Sequence, residues 1–120
     1  MSGEDQIESS DDLLKLAPEK ANELLARGKA EIQSGKFAAA RELLQRLLAD
    51  YPNHSEALYF ISVALRLEED LDGAMASLQK LIDIEPSYGR AWQERGHILI
   101  ARSDKVGAKA AFQRAVGHNS

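Results

Sequence analysis

The sequence predicts an all-α protein built from three copies of one helix pair, and three observations carry that prediction. Pro18, Pro52 and Pro86 stand 34 residues apart, twice over. Ala40, Ala74 and Ala108 keep the same interval, as do Gln45, Gln79 and Gln113, and the apolar set Leu44, Leu78 and Phe112. Within the second interval, Leu58, Ile61, Leu65 and then Ala74, Leu78, Leu81, Ile82 recur at spacings of three and four. That spacing is the mark of amphipathic helices.

The elements follow in order. Residues 1–20 form an acidic N-terminal arm or lead-in helix, and 21–120 hold three repeats at 21–54, 55–88 and 89–120. Pro18 sits where the first helix should begin, because proline at a first helical turn gives up no hydrogen bond. The paired helices should break near Ser34, Gly35 and Lys36, then at Glu69 and Asp70, then at Ser103 and Asp104. Asp70 and Asp104 have the side chain of an N-cap. Pro52 and Pro86 should close a repeat, since proline removes a donor and restricts the residue before it. Gly28 and Gly96 inside first helices predict close backbone approach to the second helix, with Leu24, Leu58, Trp92, Leu44, Leu78 and Phe112 filling the core. No single pair could bury its apolar face alone, so neighbouring pairs must stack. The last helix carries Ala108, Ala111, Phe112, Ala115 and Val116 with nothing after it to cover them. This predicts a fragment of a longer protein, or burial of that face against another copy.

Composition narrows the function. The chain has 120 residues, 44% hydrophobic and 28% charged, and no cysteine. Disulfides, thiolate metal sites and cysteine nucleophiles are thereby excluded. No apolar run nears the ~18 residues of a membrane span, and the N-terminus is acidic where a signal peptide is basic. A cytoplasmic protein is expected, without a membrane partner. The net charge of −4 is carried by residues 1–20, with six acids and two lysines, so the remainder is neutral. A neutral body lacks the basic footprint of a nucleic-acid binder. The three repeats carry net +1, −5 and +4. Such asymmetry predicts a bias in partner orientation or end-to-end association.

Catalytic and cofactor signatures are not found. Gly28-Lys29 and Gly35-Lys36 lack the upstream glycine and the following Ser or Thr of a phosphate loop. His54, His97 and His118 are dispersed, with no second metal ligand at helical spacing. Glu68-Glu69-Asp70 reads as a wet turn rather than a catalytic pair. No enzyme activity, cofactor or metal is expected.

Ala91-Trp92-x-x-x-Gly96 followed by Ala108-x-x-x-Phe112-x-x-Ala115, in a 34-residue unit, resembles the tetratricopeptide repeat. Arg27, Arg95 and Glu31 depart from the apolar residues usual there, and the turn glycine survives only as Gly35. The resemblance implies a right-handed α-solenoid whose first helices line a concave groove. It places Leu25, Lys29, Tyr59, Phe60, Val63, Arg66, Arg90, Gln93 and His97 in that groove, as a protein-binding surface. Phe60 and Leu67 have two readings, groove contact or packing between repeats. Members that clamp acidic chaperone tails would need basic and amide side chains where this sequence has Leu25, Lys29, Phe60, Arg90 and Glu94. Only Arg90 keeps that chemistry, so such a clamp is not expected. The implied function is a non-catalytic scaffold for a protein or peptide, for its own downstream domain, or for a second copy. Residues 88–97 also resemble the N-terminal repeats of bacterial sulfotransferase proteins. That alternative makes the chain the repeat arm of a longer enzyme, with the catalytic domain elsewhere.

Overall fold

The computed structural model describes residues 15–119, all-helical apart from short turns. Most of the acidic arm therefore lies outside the described residues. Six helices follow one another: α1 (Pro18–Gln33), α2 (Phe37–Asp50), α3 (Ser55–Leu67), α4 (Leu71–Ile84), α5 (Gly89–Ala101) and α6 (Lys105–Asn119). Pro18 opens α1 at its first turn. Asp70 Oδ1 accepts from the Gly73 amide at 3.0 Å, and Asp104 Oδ1 accepts from the Gly107 amide at 2.9 Å, so both expected caps are present. His54 caps α3, its Nδ1 accepting from the Ala57 amide at 3.2 Å. Nothing in the spacing announced that third cap.

Each pair turns through the same hydrogen-bonded loop. Lys36, Asp70 and Asp104 donate their amides to the carbonyls of Glu31, Leu65 and Leu99 at 2.8, 2.9 and 2.8 Å. This six-to-one closure requires a left-handed residue. Gly35, Glu69 and Ser103 supply it, with φ of 78, 68 and 65°. Glycine adopts that conformation without steric cost, whereas a side chain crowds the following carbonyl. Glu69→Gly and Ser103→Gly should therefore each raise stability by about 0.5–1 kcal/mol, read by urea denaturation. A loss of stability in both would contradict this account of the turn.

Packing inside each pair depends on small residues. Ala40, Ala74 and Ala108 are buried at the same repeat position. A methyl group added at Gly28 would lie 3.0 Å from Leu44 Cγ and Cδ2, and one at Gly96 would lie 2.5 Å from the Phe112 ring. Close approach is thus the reason for both glycines. The middle repeat has Ser62 instead, fully buried, its hydroxyl donating to the Leu58 carbonyl at 2.8 Å. Trp92, expected wholly in the core, is only half-buried. Its Nε1 donates to the Pro86 carbonyl at 2.9 Å, and the Arg114 guanidinium lies 4.2 Å from the ring centroid. The third repeat uses its tryptophan as a brace across the closing proline, with one ring face left to a cation.

Stacking of pairs makes the solenoid. α2 packs on α3 and α4 on α5, while the first helices α1, α3 and α5 lie side by side. No described helix is long and apolar enough to cross a membrane.

Candidate protein-binding groove

The surface shared by α1, α3 and α5 is the candidate site. Its centre is aromatic. Tyr59 and Phe60 meet edge to face, centroids 4.9 Å apart, and Tyr88 lies 6.1 Å from Tyr59. Their rings are half-buried and pack on the core from one side. The Arg90 guanidinium lies 4.3 Å from the Tyr59 centroid and 5.4 Å from that of Phe60. Lys29 Nζ approaches Phe60 from the α1 side at 5.1 Å. The four side chains come from three different helices, so only the stacked array assembles them. Cations resting on ring faces are held by the ring quadrupole and stay solvent-accessible.

Two ion pairs bridge neighbouring first helices. Lys29 Nζ lies 2.7 Å from Glu56 Oε2, joining α1 to α3. That lysine holds the Glu56 carboxyl below its ordinary value, against a smaller opposing effect of burial. Arg66 spans α3 to α5, its Nε 2.6 Å and an Nη 3.2 Å from the two Glu94 oxygens. Burial pushes the Tyr88 hydroxyl up. His54, Ser55, Glu56, Glu85, Tyr88 and Arg90 form an open polar cleft at one end of the aromatic centre.

The expected groove residues divide. Arg90, Gln93 and His97 are exposed, and the His97 ring stands edge-on to Phe112 at 5.2 Å. Tyr59, Phe60, Val63 and Lys29 are half-buried on or beside this surface. Leu67 is 37% exposed, so packing between repeats does not consume it. Leu25 is a correction. It is 8% exposed and belongs to the core, because an apolar side chain at the margin of the helix face turns inward. Arg66 is a second correction, since its guanidinium is engaged within the protein. Glu94, expected to repel a carboxylate, is 2% exposed and neutralised by that arginine. Spacing along α5 could not show this, for the partner comes from another repeat. Three acids of the middle repeat, Glu56, Glu68 and Asp72, each meet a base from a neighbouring repeat: Lys29, Arg41 and Arg102. The charge asymmetry is used, at least there, to join repeats.

A family model described as tetratricopeptide repeat matches residues 25–89, more than half of the chain. The chain belongs to the tetratricopeptide repeat family. Among related tetratricopeptide sequences, it is 30% identical over 97 residues to the probable biofilm formation methyltransferase WspC of Pseudomonas putida. That alignment takes in 81% of this chain and 23% of the relative, so the chain spans under a quarter of its length. The TPR2AB domain of yeast Sti1, solved in complex with pHSP90, superposes with a TM-score of 0.80 at 20% identity, over 97% of this chain and 45% of that one. The second TPR of Spaghetti (RPAP3), bound to the HSP90 peptide SRMEEVD, superposes with a TM-score of 0.74 at 21% identity, over 81% and 90%. At these identities the likeness establishes the tetratricopeptide fold.

Proposed function

We propose that this tetratricopeptide array is a non-catalytic cytoplasmic scaffold that binds a peptide or helix of a protein partner in its groove. The observation that carries the reading is the aromatic centre, Tyr59 and Phe60 under Arg90, half-exposed on the one surface that all three first helices share. Aromatic anchors flanked by polar groups are typical of contact sites. The Sti1 and Spaghetti domains, solved with pHSP90 and an HSP90 peptide, support a peptide ligand for this fold. The recognition itself must differ from a carboxylate clamp here, because Leu25 is core and Glu94 is tied to Arg66. A second reading, a repeat arm within a longer enzyme, draws on the similarity to WspC, whose name is that of a methyltransferase.

The test pairs affinity with folding. A peptide selected on the chain from a displayed library is titrated by calorimetry into the parent and a Tyr59→Ala, Val63→Ala double variant. The variant should keep its helical circular dichroism and lose about 2 kcal/mol or more of binding, roughly 30-fold. Undiminished binding by a folded variant would move the site to the convex face or the loops.

A further inference from the structure

Repeat register shows what the last helix leaves open. Phe112, Ala115 and Val116 of α6 stand where α4 has Leu78, Leu81 and Ile82, and where α2 has Leu44, Leu47 and Leu48. α2 and α4 pack against a following first helix, and Ile82 is 7% exposed. Val116, its counterpart, is 67% exposed, with Ile100 at 53% and Val106 at 85% on the same repeat. The other end offers the complementary shape. Leu24, Arg27 and Glu31 of α1 occupy the positions of Leu58, Ile61 and Leu65, which are buried in the middle repeat. Leu24 is only half-buried and Arg27 is exposed.

We propose that α1 of a second copy covers the open face of α6 in the register of the internal joints, so that copies stack head to tail. Continuity with those joints selects this occupant. Arg95 donates from Nη1 to Gln79 Oε1 at 2.9 Å across α5 and α4. Arg27 stands at the position of Arg95 and Gln113 at that of Gln79, so the same contact is available between copies. Charge agrees. At the first joint Leu65 borders Arg41 and Gln45. The corresponding residues of the new joint are Glu31, Lys109 and Gln113, a carboxylate brought to a cation where the internal joint has leucine. Where the second joint has Arg66 against Glu94, the new one sets Ile100 against Ala26. Opposite faces of the molecule meet in this contact, so it is heterologous and propagates as a ring or an open filament. The peptide grooves of successive copies would then run on as one surface.

Sedimentation of the 120-residue chain across a concentration series tests the proposal. The parent should show a weight-average mass that climbs past two copies. Val116→Glu and Glu31→Lys variants should each stay monomeric with unchanged circular dichroism. An equal mixture of those two should stop at a dimer, because each contributes the end the other has lost. Lys109→Glu should also abolish association, and adding Glu31→Lys to it should restore the parent's behaviour. A parent that remains monomeric at about 1 mM would overturn the proposal. Association that survives both single variants would do the same, since it would use another surface.

Discussion

An Arg66→Met variant should lose about 2–4 kcal/mol of stability, most of it through Glu94 rather than through Arg66 itself. Glu94 is 2% exposed, and both of its oxygens accept from the same guanidinium. Methionine keeps much of the arginine's apolar stem but leaves an ionised carboxylate in a place that water does not reach. Removing one partner of such a pair costs far more than the pair contributes as a whole. Glu94→Leu combined with Arg66→Met should therefore recover most of the loss. Urea denaturation of the four proteins forms a double-mutant cycle, with a coupling energy of about 1–3 kcal/mol expected. A single Arg66→Met change below about 0.5 kcal/mol would mean that Glu94 is hydrated.

The second large effect is graded along the array. Leu44, Leu78 and Phe112 share one repeat position, yet the two leucines are fully buried and Phe112 is only half so. Truncating a fully enclosed leucine removes its transfer free energy and leaves a cavity, so Leu44→Ala and Leu78→Ala should each cost about 3–4 kcal/mol. Phe112→Ala should cost less despite the larger side chain, about 1–2 kcal/mol, because solvent already reaches the ring and the site can collapse. Denaturant unfolding of the three variants ranks them. A cost for Phe112→Ala equal to that for Leu78→Ala would mean that the last helix is covered in solution.

The fold was legible because its cause is local and repeated. Proline at 18, 52 and 86 marks the joints, while alanine at 40, 74 and 108 and glycine at 28 and 96 report the distance between paired helices. Any one of these is weak, and their common interval makes them strong. The turn was readable at Gly35, whereas Glu69 and Ser103 adopt its left-handed geometry against their own preference. The closing hydrogen bonds impose that geometry and leave no trace in residue type. The groove was read less well. Positions along α3 and α5 indicate which way a side chain leaves its helix, but not whose side chain reaches over from the next repeat. Glu94 is outward-facing on α5 taken alone, and only Arg66 of α3 turns it into an interior residue. Leu25 shows the same limit from the other side. About 100° per residue leaves marginal positions on a helix undecided, and apolarity tips this one into the core.

The contacts between repeats also confer an order on them. The first joint pairs Lys29 with Glu56 and Arg41 with Glu68, whereas Ile32 and Phe60 hold the positions where the second joint has Arg66 and Glu94. At the second joint, Val63 and Arg90 stand where the first has its lysine and glutamate. Each junction is therefore a lock with its own key. A second copy of repeat two, spliced directly after the first, would confront Arg66 with Phe60 and leave Glu56 with Val63 in place of a lysine. Repeats of one fold and one length are thus not interchangeable modules in this chain, and their sequence along it is written in side chains that never touch a ligand.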